Sequence, residues 1–421
     1  MTERYVLRPI SPGEFNAFFD VPVEAFNDAD RPDDAIEHER TVFEFDRSLA
    51  AFDGDAIVGT TAAYSFRLTV PGGVVNAAGV SFVSVLPSHR RRGILSAMMR
   101  RQLADIAARG EPVAALLASE SVIYGRYGYG SASGQLNLTI RRREGALSPA
   151  VAPGVATGPG SVRLRAAPPP ELRSELAKVY DSAVPHRPGM IARDERWWQS
   201  ILADPEFAHR GMSPLKCVLA GDGSGPRGYA LYRTQPGWDD DGLPYGTLSV
   251  VELIATDGAA TAALWADLLT RDLIGEVVAR KRPVDDPLLD MLADRRRARA
   301  YLTDALWVRL TDVPAALCRR RYCCAADVVL EVTDELLPAN AGRWRLRCPG
   351  PADGTAASCE RTTAAADIEL PVAALGAGYL GGGRLGGLAA AGLVTEHTTG
   401  AVAMLSAAMY SDPAPWCPSG F

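Results

Sequence analysis

Cysteine is scarce and unpatterned. The seven residues (Cys217, Cys318, Cys323, Cys324, Cys348, Cys359 and Cys417) are odd in number and contain no CxxC pair, and the five histidines (His38, His89, His186, His209 and His397) are scattered. That argues against a disulfide framework or a metal site, and leads to an expectation of reduced thiols in a cytoplasmic protein. A basic excess is missing too: 44 Lys and Arg stand against 50 Asp and Glu, a formal charge of -6, which speaks against a nucleic-acid-binding surface. The opening MTERYVLRPI has no apolar run behind a basic start, so no signal peptide is expected. The most apolar stretch, Leu385 to Leu405, is broken by glycines, Glu396, His397 and threonines, so no membrane span is expected.

What is present is the composition of a globular protein: 421 residues, 47% hydrophobic and 22% charged, with a mean hydropathy of -0.01. A chain of this length outgrows one core, and two or three domains follow. Leu49–Phe52 and Ala56–Thr61 read as strands about an Asp53-Gly54 turn, and Ala62–Val70 and Val74–Val85 continue as strands across Pro71-Gly72-Gly73. Apolar residues at Ile94, Leu95, Met98, Met99, Leu103, Ile106 and Ala107 have helical spacing and end at Gly110. Val113–Ala118 suits a buried parallel strand.

Residues 148–164 are rich in Pro, Gly and Ala and read as a linker. A second mixed pattern follows, with helices at Glu171–Tyr180 and Ala259–Asp272 and strands at Tyr229–Tyr232 and Leu248–Ile254. From about Leu306 a third region reads as an antiparallel sheet (Val328–Val332, Arg343–Cys348, Ile368–Leu370) with helices over Val372–Leu380 and Leu385–Leu393. The strand–loop–helix segment Ser81–Arg100 has an echo in Val250–Leu269, where TDGAA replaces HRRRG. The echo suggests a scaffold that was kept and an anion site that was lost.

The run Val83 to Leu95 carries the chemistry. A strand ends at Pro87, His89-Arg90-Arg91-Arg92 forms a basic loop, and a helix opens at about Gly93. A helix amino terminus offers unpaired N–H groups and the positive end of its dipole, a natural phosphate site. Each arginine adds charge-assisted hydrogen bonds worth about 1.5–3 kcal/mol. Gly93 lets a diphosphate approach the backbone. The segment is neither a P-loop nor a GxGxxG turn.

Arg90-Arg91-Arg92-Gly93-Ile94-Leu95 resembles the R/Q-x-x-G-x-G/A signature of the GNAT acetyltransferases, with Leu95 in place of the final small residue. SFVSVLPSHRRRGILSAMM and PVAALLASESVIYGRYGYG, with LWVRLTDVPAAL and AAADIELPVAALGAGYLGG farther on and a terminal phenylalanine, resemble the Eis family of actinobacterial acetyltransferases over essentially the whole chain. The resemblance implies an α/β (α+β) architecture: a GNAT domain with the acetyl-CoA site (1–150), a degenerate GNAT-like domain (160–303), and a sterol-carrier-protein-like domain (304–421), in a homohexamer without metal. It implies that the strand edge at Val83, Ser84 and Val85 pairs with the pantetheine amides of acetyl-CoA. Arg90, Arg91, Arg92, Gly93, Ile94, Leu95 and Ser96 hold the diphosphate, and Ser119 and Glu120 line the thioester end.

The resemblance also makes Tyr124 the general acid and the terminal carboxylate of Phe421 the general base. A phenol near pKa ~10 donates to a thiolate near ~8.5 at a deficit of about two units or less. An α-carboxylate near ~3.5 is a weak base, so it must be desolvated, work through water, or meet an amine of depressed pKa. Phe26, Asp28, His38 and Phe82 match substrate positions of the family. With Asp30, Asp33, Asp34, Glu37 and Glu39 nearby, they suit a polyamine such as an aminoglycoside, the substrate class behind antibiotic resistance. Gly420 stands where an acidic residue can precede the terminal Phe, which leaves the regiochemistry open. The alternatives are a protein lysine acceptor, or a non-catalytic acyl-CoA- or lipid-binding protein.

Overall fold

The computed structural model describes residues 5–28, 33–151, 162–350, 355–383 and 385–421; residues 152–161, the greater part of the linker expected at 148–164, lie outside the described residues. Six strands precede residue 132: β1 (Val6–Arg8), β2 (Ser48–Asp53), β3 (Ala56–Val70), β4 (Gly73–Val85), β5 (Val113–Leu117) and β6 (Gly130–Ser131). The Ala56–Thr61 and Ala62–Val70 segments form one continuous fifteen-residue strand, β3. Three helices matter here: α1 (Phe15–Phe26), α2 (Asp33–Arg40) and α3 (Ile94–Ala108). β4 and β5 pair in parallel, so a crossover must join them, and α3 is that crossover. The period of two sorts β2 between two faces. Ala50 and Phe52 pack with Phe15, Phe18 and Phe19 of α1, while Leu49 and Ala51 pack with Ile94 and Met98 of α3. Each buried phenylalanine contributes about 1.5–3 kcal/mol.

The next seven strands are β7 (Gly134–Arg141), β8 (Arg163–Ala167), β9 (Lys216–Asp222), β10 (Gly225–Gln235), β11 (Gly246–Ala255), β12 (Ile274–Arg282) and β13 (Tyr301–Asp304). They form a second sheet in the order β13-β7-β12-β11-β10-β9-β8. The helix Gly258–Thr270 packs on it through Leu264, Trp265 and Leu268, all fully buried. Inside this unit Arg193 donates to both carboxylate oxygens of Glu252 (3.0 and 2.5 Å), and Tyr229 donates to one of them (2.5 Å).

Strand β14 (Leu306–Leu310) enters the first sheet, not the third region: the order there is β1-β2-β3-β4-β5-β14-β6. Conversely β7, within the 1–150 segment, lies between β12 and β13 of the second sheet. Two compact units result. One comprises Met1–Ser133, Arg187–Ala192 and Asp304–Phe421, and the other Gly134–His186 and Arg193–Thr303. In the first unit, the short segment Arg187–Ala192 zips onto β3 through Thr69 N–H to Met190 O (2.8 Å) and Gly189 N–H to Thr69 O (2.8 Å).

The carboxy-terminal region of that unit carries β15 (Ala326–Thr333), β16 (Gly342–Cys348), β17 (Ser358–Arg361), β18 (Ile368–Pro371) and β19 (Thr395–Glu396), in the order β17-β16-β15-β18-β19. The sheet is mixed rather than antiparallel as expected, because β15 and β18 run parallel. The long stretch between them returns the chain to the same end of the sheet, a connection that strand composition does not reveal. No helix among the described residues is long and apolar enough to cross a membrane. No group of three or more His, Cys, Asp or Glu able to hold a metal ion occurs among them.

Candidate active site

β4 runs beside β5 only over Ala77–Gly79, while it stays paired with β3 as far as Val85. The edge of β4 beyond Gly79 that faces away from β3 has no strand partner among the described residues. A bulge marks the divergence: Thr60 pairs with Ser84 but Ala62 with Ser81, so Phe82 and Val83 together face Thr61. Phe82 takes a left-handed backbone with φ of 54°. Two threonines pin it. The Thr60 hydroxyl donates to Phe82 O (2.8 Å) and bonds the Ser84 hydroxyl (2.6 Å), and the Thr61 hydroxyl reaches Gln102 of α3 (3.1 Å). The outward edge of β4 at Val83–Val85 suits a ligand that carries amides of its own, although Arg90 Nε already reaches Val85 O (3.4 Å).

After β4, Pro87–His89 makes a single 3-10 turn, with His89 Nε2 3.3 Å from Asp53 Oδ2. Arg91 and Gly93 then adopt positive φ values of 63° and 82°. The chain thereby turns its amides toward the start of α3, whose first intrahelical bond is Ala97 N–H to Gly93 O (3.0 Å). Among the described residues no side chain caps this helix, whose N-cap residue is Gly93. Its opening N–H groups face a cavity of about 350 Å³. The second sheet offers the contrast. At its echo of this turn the helix Gly258–Thr270 is capped by Asp257, which accepts Ala260 N–H (2.9 Å) and pairs with Arg227 (2.8 Å). There the protein's own carboxylate occupies the anion position.

The cavity walls include Val83, Ser84, Val85, Arg90, Arg91, Gly93, Ile94, Leu95, Ser96, Ser119, Glu120 and Tyr124, twelve positions singled out in the sequence. The three arginines divide. Arg91 is exposed and lines the cavity. Arg90 lines it too, but its guanidinium donates to Ala25 O at the end of α1 (2.9 Å). Arg92 turns to the Tyr5 hydroxyl (3.4 Å) and is not part of the wall. Phe26 joins the wall; Asp28, His38, Phe82 and Phe421 do not. His38 is half-buried on α2, and burial lowers its pKa against the opposing pull of Asp34. Asp30 lies outside the described residues.

Helix α4 (Ser121–Tyr124) sets Tyr124 on the cavity wall. Burial, reinforced by Glu120 and Tyr127, pushes the Tyr124 phenol up to about 12. The deficit against a thiolate near ~8.5 is therefore about three and a half units, wider than the free residues suggest. A thiol buried beside it would narrow that gap again, because burial raises a thiol's pKa too. The Tyr127 hydroxyl bonds Ser96 in the first turn of α3 (3.2 Å), joining the tyrosine turn to the start of that helix.

The carboxy terminus is held in place. Trp416 N–H donates to Pro188 O (2.8 Å), Arg187 donates to Ala414 O (2.9 Å), and the Phe421 ring meets Phe66 of β3 edge-on at 5.0 Å. Ring contacts continue from Phe66 to Tyr64 (5.8 Å) and from Tyr64 to Phe82 at the bulge (6.3 Å). Sequence reasoning missed the Arg187–Ala192 clamp and the bulge threonines, which carry no motif. It also passed over His89 and Arg126, which line the cavity within motifs already under scrutiny.

Residues 6–132 match the family model of an acetyltransferase (GNAT) domain, residues 189–310 a second one, and residues 313–418 a sterol carrier protein domain. An uncharacterized N-acetyltransferase of Streptomyces coelicolor is 45% identical over 413 residues, 97% of each chain. N-acetyltransferase Eis of Mycobacterium tuberculosis is 37% identical over 405 residues, 95% of each chain. The crystal structure of Eis1 from Mycobacterium abscessus aligns with a TM-score of 0.81 at 35% identity, covering 99% of this chain and 100% of that one. These matches, over a chain whose first sheet carries the open bulge and the uncapped helix, establish that it belongs to the Eis family of GNAT N-acetyltransferases.

Proposed function

We propose that the chain transfers acetyl groups from acetyl-CoA to the amines of small polyamines of the aminoglycoside type, at more than one position. The observation that carries this reading is one cavity whose wall joins the open β4 edge, the uncapped start of α3 and the Tyr124 hydroxyl. The β4 edge pairs with pantetheine amides, and the amides of the turn, with Arg91, hold the diphosphate. The amine attacks the thioester carbon, so a C–N bond forms and the C–S bond breaks. Tyr124 gives its proton to the departing sulfur. The Phe421 carboxylate, held on Phe66 by its ring, takes the proton from nitrogen through water. Nitrogen becomes acidic enough for so weak a base only once it has bonded to carbon.

Glu120 on the cavity wall, with the acidic residues Asp28, Asp34 and Glu39 of the first domain, supports a cationic acceptor. The assembly follows the family resemblance as a homohexamer, which light scattering of the eluting protein checks. Mass spectrometry of kanamycin and of a lysine peptide, each incubated with enzyme and acetyl-CoA, tests the acceptor. Mass gains of 42 Da per acetyl group, in more than one step on kanamycin, are expected. Modification of the peptide alone would overturn the polyamine reading.

A further inference from the structure

Tyr124, Tyr127 and Tyr129 sit on one tight turn, and the group that fixes it comes from far along the chain. Arg309 of β14 is fully buried. Its Nε donates to Tyr127 O (2.9 Å), and its Nη2 lies 2.7 Å from both oxygens of Asp334. Asp334 is itself saturated: it accepts the amides of Leu336 (3.2 Å) and Leu337 (3.1 Å) and the Asn340 side-chain amide (3.0 Å). Asn340 returns to Leu310 O (3.1 Å) and takes Val313 N–H (2.9 Å). Gly128 completes the fit, because a Cβ there would lie 2.6 Å from Arg309 Nε. The turn also packs against the flanks of this network, with Leu336 and Leu337 beside Tyr124, Tyr127 and Tyr129.

A rigid fork between a loop carbonyl and a saturated carboxylate fixes position in a way that a flexible ammonium cannot. From this geometry we infer that Arg309, anchored by Asp334, is a positioning residue for acetyl transfer: it holds the Tyr127 carbonyl and so sets the Tyr124 hydroxyl against the cavity. The carboxy-terminal region thereby contributes to the acid as well as to the tail. The inference rests on Tyr124 being the general acid. Neither Arg309 nor Asp334 lines the cavity, so both act through the turn alone.

Full-length Arg309→Lys and Asp334→Asn test it, each alone and combined with Tyr124→Phe. Asp334→Asn stands in should Arg309→Lys fail to fold. Each single variant should lower kcat by about tenfold or more, the scale of a small misplacement of a reacting group, while KM for acetyl-CoA stays within about threefold. In the Tyr124→Phe background the same change should cost no more than about twofold further, because its route to the chemistry is already gone. Additive losses in the double variants, or normal kcat in a folded single variant, overturn the positioning role alone. Full activity of Tyr124→Phe overturns the acid reading and this inference with it.

Discussion

At the scale of the residue, Tyr124 is shaped to keep its proton. Burial and the nearby Glu120 raise its phenol to about 12, so the protonated form persists through neutral and mildly alkaline pH. The sign follows directly: with the native pKa above the unfolded one, the stability linked to this group is intact below pH ~10 and lost as pH rises toward 12. Tyr124→Phe should lower kcat by about 10²-fold or more. The wild-type kcat profile should show no descending limb below pH ~11 that Tyr124→Phe removes. A limb near pH 9 that vanishes in the variant would contradict the buried, high-pKa tyrosine. The arginine loop and Tyr124 were legible in the sequence because each sits inside a run of neighbours with a recognisable pattern. Arg309 was not, since its partner Tyr127 is 182 residues away and a buried arginine leaves no periodic signature.

At the scale of the element, the decisive feature is the bulge in β4. A bulge costs ladder hydrogen bonds, and the Thr60 hydroxyl offsets part of that by bonding both Phe82 O and Ser84 Oγ. Thr60→Val keeps the shape and leaves Phe82 O without its donor and the Ser84 hydroxyl without its acceptor, at about 1–3 kcal/mol. The expected outcome is a lower Tm and a KM for acetyl-CoA raised several-fold, with kcat less affected; an unchanged KM would remove the bulge from cofactor binding. Strand and helix positions could be read from the sequence, because periods of 2 and 3.6 are local. The splay of β4 from β5 could not, because register depends on where the partner strand ends. The echo at Val250–Leu269 was legible as a pattern, and the Asp257 cap supplies its physical meaning: a helix start already satisfied has no amides to offer a phosphate.

At the scale of the whole molecule, two strands join sheets other than those of the segments that hold them: β7, before residue 150, lies in the second sheet, and β14, after residue 304, in the first. Alternation tells a strand which face is buried but not which sheet it joins, so the segment boundaries at 150 and 304 could not reveal the exchange. A fragment of residues 1–150 lacks β14 and with it Arg309, leaving an edge of β5 bare. It should be insoluble or fail to unfold cooperatively on heating, whereas a sharp two-state transition would show that β14 is dispensable. The ordered tail makes a second demand. Extra residues after Phe421 remove its free carboxylate and should cut turnover by about 10²-fold while leaving Tm nearly unchanged. Full activity of the extended chain would exclude the terminal carboxylate as base.

The most direct measurement is calorimetric titration of the full-length protein with coenzyme A. One site per chain is expected, because the first helix start is uncapped and the second is filled by Asp257. Arg91→Ala should weaken it by about tenfold, the loss of one or more charge-assisted bonds. Two sites per chain, no binding, or an affinity indifferent to Arg91 would contradict a phosphate grip at the start of α3.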